Sequence, residues 1–196
     1  GNIYSIDVSD PLRILMYYKD HNQVVWVDNY LSEIRSPIWL DDLGVDQAQL
    51  VCSSNQGGFW IFNGLNNQLQ YIDVNLQFIH ESITLNSLTG PDIQPTYMLE
   101  KSRNVYLNVP GFGILVFDRF GNYSKTIPLE IPGEFQVTDQ HLYYFKAGDL
   151  YSFDLQTNIP EKLPLPEEDG FIKVEMQPDF LYLFRHQGYS VYKIGD

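Results

Sequence analysis

One phrase recurs four times along this chain: an apolar strand that ends in Asp, a short polar break, and a second strand. The copies are VVWVDNYLSEIRSPIWL (Val24–Leu40), LQYIDVNLQFIHESITL (Leu69–Leu85), ILVFDRFGNYSKTIPL (Ile114–Leu129) and LYSFDLQTNIPEKLPL (Leu150–Leu165). Their aligned residues Asp28, Asp73, Asp118 and Asp154 stand 45, 45 and 36 residues apart. A period of about 40 residues made of short strands is the pattern of a β-propeller. It names an architecture and no chemistry.

Reading backwards from each Asp recovers two more strands per repeat. An aromatic strand comes first: Leu12–Tyr18, Gly58–Asn63, Asn104–Val109 and His141–Lys146, with a fifth copy at Phe180–Arg185 followed by Tyr189–Ile194. Ahead of these lies a weaker strand: Ile3–Val8, Ala48–Ser54, Thr96–Lys101, Glu134–Thr138 and Phe171–Met176. Each repeat therefore reads as four antiparallel strands, A to D, in blades of about 2–40, 47–85, 94–129 and 134–165. A three-stranded fifth covers 171–194. Pro37, Pro128 and Pro164 fall in the fourth strand of three repeats. A residue without an N–H suits an outer edge, which makes strand D the edge of its blade. Gly121-Asn122 and Gly148-Asp149 are turn pairs between antiparallel neighbours. The helical candidate Asp41–Leu50 is too short and contains Gly44. The expectation is an all-β, single-domain propeller of about five blades. Because the fifth repeat lacks strand D while the chain opens with a strand A, a segment upstream of Gly1 is expected. A short one completes blade five and a longer one makes a sixth blade.

Composition agrees. The chain has 196 residues, 44% hydrophobic, with 14 Tyr and 12 Phe, enough for a core and rich in residues that favour pleated surfaces. Its formal net charge is −13. That surface repels nucleic-acid phosphates, and its plainest use is solubility. Cys52 is the only cysteine, so neither an intrachain disulfide nor a Cys-based zinc cluster is possible, and its apolar strand suits a buried inert thiol. There is no apolar run of 18 residues to make a spanning helix.

The segments NIYSIDVSDPLRILMYYKDHNQVVWVDNYLSEI, GGFWIFN with LQYID, and GILVFDRFGNYSKTIPL together resemble a group of short exported propellers of Bacteroidetes-type bacteria that carries no assigned activity. The resemblance implies a propeller, export on a signal peptide, and a periplasmic or otherwise exported location. It offers no catalytic motif. More loosely, the Asp-ended third strand is similar to WD40-like and NHL-like repeats, which are mainly binding platforms, although Trp26-Val27-Asp28 only approximates the WD dipeptide.

No chemistry-bearing motif appears. His21, His80, His141 and His186 lack zinc-like spacing, and there is no nucleophile elbow, phosphate loop or dinucleotide fingerprint. No catalytic residue, metal or cofactor is expected. The four Asp residues read as turn caps. The acidic loop Asp41–Asp46 lacks the order of calcium ligands in an EF-hand. One pattern remains, at the B–C loops: Lys19 with His21, Asn63, Asn108, Lys146, and Arg185 with His186. In a propeller these loops share a rim with the acidic D–A loops (Asp41, Asp42, Glu130, Glu167, Glu168, Asp169). Simple pairing with those acids is one reading, and a cation-bearing socket for an anionic or sugar-like group is the other.

The function expected is a non-enzymatic binding or scaffold propeller that presents its loops to a protein or polysaccharide partner in the cell envelope. The alternative is a hydrolase or lyase at the central socket, for which inner strand A offers only Asp7, Glu100 and Glu175.

Overall fold

The computed structural model describes residues 1–91, 93–166 and 170–194. Nineteen strands form five antiparallel sheets in a β-propeller arrangement. The first sheet is β1 (Ser5–Asp7), β2 (Ile14–Tyr18), β3 (Gln23–Val27) and β4 (Ile38–Trp39). The second is β5 (Ala48–Ser53), β6 (Phe59–Asn63), β7 (Gln68–Ile72) and β8 (Phe78–Glu81). The third is β9 (Tyr97–Lys101), β10 (Asn104–Val109), β11 (Gly113–Asp118) and β12 (Tyr123–Ile127). The fourth is β13 (Phe135–Val137), β14 (His141–Lys146), β15 (Asp149–Asp154) and β16 (Pro160–Leu163), and the fifth is β17 (Lys173–Met176), β18 (Phe180–Arg185) and β19 (Gly188–Lys193). In every sheet each strand pairs with the next in sequence, so register is set locally by short turns. The chain divides into two compact units, Gly1–Pro128 with three sheets and Leu129–Asp196 with two.

Within each unit the sheets pack face to face. Leu15, Tyr17, Val24 and Trp26 of the first sheet meet Val51, Phe59, Ile61 and Ile72 of the second. The opposite face of the second sheet, with Cys52, Trp60, Phe62 and Tyr71, meets Val105, Leu107 and Val109 of the third. This two-sided burial explains why β6 is a continuous apolar run, FWIF, rather than an alternating one. In the other unit Leu150 of the fourth sheet packs with Val174, Leu181 and Leu183 of the fifth.

The aligned aspartates make one turn four times. Asp28, Asp73 and Asp118 each accept, through one carboxylate oxygen, the N–H groups two and four residues on, at 2.8–2.9 Å. The backbone repeats as well: the Asp N–H donates to the carbonyl four residues on, and its own carbonyl accepts from the third. That third residue is left-handed each time: Leu31 (φ 62°), Leu76 (φ 63°) and Gly121 (φ 82°). Asp154 makes the same turn with one residue more, accepting from Gln156 and Thr157 and placing Asn158 at φ 59°. The turn-cap expectation holds.

Two details differ from the sequence reading. Pro37, Pro128 and Pro164 flank the fourth strands instead of lying in them, and the proline inside one is Pro160, the first residue of β16. A missing N–H is harmless at a strand's first residue or just beyond its end, so proline marks the limits of the edge strand. The acidic segment at Asp41 forms one 3-10 turn, Asp41–Leu43, closed by Gly44 at φ 76°. A four-residue helix, α1 (Asn86–Thr89), follows the second sheet, too short for any periodic signal.

Candidate functional site

The polar residues picked from the sequence all sit where strand B turns into strand C of their own sheet. In the first sheet Lys19–His21 make a 3-10 turn between β2 and β3, and both Lys19 and His21 are exposed. Asn22 follows in a left-handed conformation, and its amide donates to the Asp41 carboxylate and to the Val45 carbonyl (2.6 Å). The Tyr17 hydroxyl donates to the carbonyl of Ala48 at 2.6 Å. Burial first, then the nearby Tyr4 and Asp41, push that phenol far above its ordinary range. Asn63 ends β6 and is buried, donating to Gln70 (3.2 Å) and accepting from the Leu65 N–H (3.0 Å). Asn108 in β10 is also buried and donates to Thr96 at 3.1 Å. These two amides fasten their own loops.

The cations share a contact that the sequence did not reveal. Lys19 lies 4.3 Å over the ring of Tyr4, just ahead of β1. Lys146, which ends β14, donates to the carbonyl of Glu130, ahead of β13, at 3.2 Å. Arg185, which ends β18, lies 4.6 Å over Phe171, ahead of β17, and donates to Ser190 at 2.8 Å. In three sheets, then, the charge closing strand B leans on the segment entering strand A of the same sheet. His186 is exposed beside Arg185. Glu167, Glu168 and Asp169, expected as acidic neighbours, lie outside the described residues.

The inner strands carry a second repeated feature. Asp7 of β1 accepts the backbone N–H of Ser53 in β5 (2.8 Å) and that of Ser9 (2.9 Å). The Cys52 thiol in β5 takes a hydrogen bond from the backbone of Glu100 in β9. Gln136 of β13 accepts the N–H of Met176 in β17 (2.7 Å) and donates to its carbonyl (3.2 Å). The registers Asp7–Leu15–Trp26, Cys52–Trp60–Tyr71 and Gln136–Tyr143–Ser152 make these three residues equivalent. Each is a rung from one sheet's inner strand to the next. Glu100 adds a bond in reverse: its carboxylate, buried, accepts from the Trp60 indole (2.8 Å) and the Asn55 N–H (3.2 Å).

These bonds define the chemistry left available. Burial first, then the Asp7 and Glu100 charges, hold the Cys52 thiol well above its ordinary range, so it stays protonated and unreactive. His80 is held by rings, stacked on Tyr71 (6.3 Å) and edge-on to Phe120 (5.5 Å). His141 stands 3.8 Å from Asp154. Among the described residues no three His, Cys, Asp or Glu side chains group so as to hold a metal ion.

A second cationic place lies between the first two sheets, at the end of the Asp turns. Arg13 covers the Trp26 ring at 4.8 Å and donates to the Gly57 carbonyl, while Arg35 donates to the carbonyl of Val74 at 3.1 Å. The cleft, about 170 Å³, is lined also by Ile34, Phe59 and Asp73. It depends on Gly58, where a Cβ would fall 1.9 Å from the Ile72 carbonyl oxygen. Arg35 also borders a wider groove of about 350 Å³ with exposed Trp39 and Asp42. Arg13 and Arg35 are 22 residues apart in unlike contexts, so no sequence signal joined them.

No protein-family model matches the sequence, and no curated protein matches it. Solved structures do match. A streptogramin B lyase aligns over 99% of this chain and 69% of its own, at 16% identity and a TM-score of 0.60. PorZ, a bacterial surface component of the type-IX secretion system of Porphyromonas gingivalis, aligns over 98% of this chain and 28% of its own, at 13% identity and 0.59. Hsv2 of Kluyveromyces lactis aligns over 96% and 59%, at 14% and 0.63. The chain thus spans from about a quarter to about two thirds of these β-propellers, and at such identities the likeness is one of fold.

Proposed function

We propose that this chain is a binding or scaffold propeller whose loops engage a protein or polysaccharide partner in the cell envelope. One observation carries the reading. Of the inner-strand groups that chemistry would need, three are spent on joining sheets, Asp7 on the Ser53 amide, Cys52 on the Glu100 amide and Glu100 on Trp60 and Asn55, and Glu175 is paired with Lys173 of its own strand. What remains exposed on the loops is Lys19 and His21 in the first unit, and His186 in the second, where Lys146 and Arg185 are braced on their own sheets. Such braced cations suit an anionic group, because on a chain of net charge −13 they are where an anion loses least on approach. Exposed Trp39 beside Arg35 adds an aromatic face suited to a sugar ring or an apolar side chain. PorZ is a surface component, which supports an envelope location.

The test is calorimetric titration with polygalacturonate, an anionic polysaccharide, and with neutral dextran. Binding of the first should weaken as salt rises and fall at least about tenfold in the triple variant Lys19→Ala, Lys146→Ala, Arg185→Ala. Affinity indifferent to both places the partner elsewhere. A hydrolase or lyase reading has one support, the likeness to a streptogramin B lyase, and shortening of the polymer during the titration would favour it.

A further inference from the structure

We propose that the cleft between the first and second sheets receives an acidic side chain of a peptide partner, and that the groove beside it receives the neighbouring apolar side chain. Two of the chain's five arginines carry the inference. Arg13 lies between β1 and β2 and Arg35 between β3 and β4, yet both reach to the second sheet. Arg13 donates to the Gly57 carbonyl and Arg35 to that of Val74 at 3.1 Å. One carbonyl apiece leaves most of each guanidinium fork able to donate. Among the described residues neither forms an ion pair, although the chain holds 25 acidic residues against 12 basic ones. The carboxylate that lines the cleft, Asp73, is committed to its own turn. It accepts the N–H groups of Asn75 (2.9 Å) and Gln77 (2.8 Å) and the Asn75 side-chain amide (3.3 Å). Two guanidinium groups against one carboxylate leave the cleft a positive charge in excess, and a guanidinium matches a carboxylate in shape as well as sign.

Shape narrows the ligand. At about 170 Å³ the cleft is smaller than the ~300–1,000 Å³ of pockets that enclose a whole small molecule, so it suits one group of a larger ligand. Gly57 keeps it open: a Cβ there would fall 2.8 Å from the Val74 side chain and 3.4 Å from the Arg13 guanidinium. Trp26 is buried beneath Arg13, so its ring cannot stack on a sugar. Half-exposed Ile34 and Val74 match the methylene stem of an Asp or Glu side chain, which the terminal carboxylate of a peptide lacks. Arg35 joins the cleft to the groove of about 350 Å³, where Trp39 is 48% exposed and Leu43 and Leu76 add apolar walls. Asp42 borders that groove and repels a second acid there, which favours an apolar neighbour. Every one of these residues belongs to the first unit. The place shares no residue with the loop cations Lys19, Lys146 and Arg185, and its ligand need not be theirs.

The test is an NMR titration of the nitrogen-15-labelled chain with the capped dipeptide acetyl-Glu-Phe-amide, a method that registers weak binding. The Trp39 indole signal and the amide signals around Arg35 and Val74 should shift along one saturable curve. Acetyl-Gln-Phe-amide, the same shape without the charge, should bind at least about tenfold more weakly, and acetyl-Glu-Glu-amide more weakly than the Phe peptide. Arg35→Gln should weaken the Glu-Phe peptide at least about tenfold, while the amide spectrum away from the cleft shows that the variant is folded. The triple variant Lys19→Ala, Lys146→Ala, Arg185→Ala should bind the peptide as wild type does, so the cleft and the loop cations can fail separately. Equal binding of the Gln peptide, or no response at Trp39, overturns the proposal. So does tighter binding of acetyl-Gly-Phe with a free terminal carboxylate, or a peptide affinity that Arg35→Gln leaves unchanged.

Discussion

The second and fifth sheets begin from nearly the same words, GFWIFN and FLYLFR, yet end in different states. Phe59, Trp60, Ile61 and Phe62 are all 0–1% exposed because a sheet packs on each face. In β18 only Leu181 (7% exposed) and Leu183 (0%) are buried, and the alternate residues Phe180, Tyr182 and Phe184 are not. An aromatic strand therefore specifies that it can be buried on both sides. Whether it is buried depends on a neighbour the strand does not encode. The polar groups follow suit: Glu100, reaching from the third sheet to the second, is enclosed with two donors, whereas Glu175 at the fifth shares solvent with Lys173.

The largest test of this contrast is Trp60→Ala against Tyr182→Ala in urea unfolding. Removing Trp60 leaves a cavity between two sheets and takes a donor from Glu100, at a cost of about 3–5 kcal/mol. All three tryptophans lie in the first unit, so the remaining two still report its unfolding by fluorescence. Tyr182→Ala, followed by circular dichroism in dilute protein, should cost less than about 1 kcal/mol. A comparable cost for both would mean that the fifth face is covered in solution. Next in size is the carboxylate pair. Glu100→Leu strands the Trp60 indole and the Asn55 N–H and should cost about 2–3 kcal/mol. Glu175→Leu, losing an exposed ion pair, should stay within about 0.5 kcal/mol in the monomer.

How much of this was legible follows from where the information lies. The Asp turns could be read because their bonds join residues two to five apart, and the four-stranded repeats because each strand pairs with the next in sequence, so local chemistry repeats as local spelling. The rungs could not. Asp7, Cys52 and Gln136 share a register position but no residue type, and a backbone N–H can donate to any of them. At the candidate site, the place of Lys19, Lys146 and Arg185 at the end of strand B came from alignment alone. Their supports, Tyr4, Glu130 and Phe171, share no chemistry beyond an electron-rich surface, so the brace left no trace in the sequence. Nor could the alignment tell that Asn63 and Asn108 face inward, since strand-end asparagines serve loops and ligands alike.

The turn carboxylates of the two units are held below their ordinary range by different partners. Asp118 is opposed by partial burial, but hydrogen bonds from the Asn122 side chain, the Asn122 and Phe120 N–H groups, and the charge of Arg119 hold its pKa below the ordinary value. Asp154 is lowered by the N–H groups of Thr157 and Gln156, with His141 assisting. In both cases the unfolded chain takes up its proton first as pH falls. Their stabilisation is therefore complete above about pH 4 and disappears as pH drops through the lower folded-state values. Asp118→Asn should cost about 1 kcal/mol at pH 7, in line with other capping carboxylates, and the gap from wild type should close as pH falls through the lowered folded-state value. A gap that persists there would assign the loss to shape instead of charge.

The smallest effect separates turns that look alike. Gly121 occupies the left-handed position of the third sheet's turn at no steric cost, whereas Leu31 occupies the same position of the first at φ 62°. A left-handed conformation costs an L-residue about 1–2 kcal/mol, and Leu31 is 66% exposed, so its side chain recovers little by packing. Leu31→Gly should remove that strain and lose about 0.5–1 kcal/mol to the greater freedom of the unfolded chain, a net gain of up to about 1 kcal/mol. Leu76, at the equivalent place, is partly buried against the core shared by the first two sheets, so Leu76→Gly forfeits that contact and should gain less. Gly121→Leu should lose stability by more than either gains, because a Cβ there would stand 3.3 Å from the backbone of Glu81 and Ser82. Thermal melts of the three variants, read against one another, would sink the shared-turn account if Leu31→Gly proved the destabilising one.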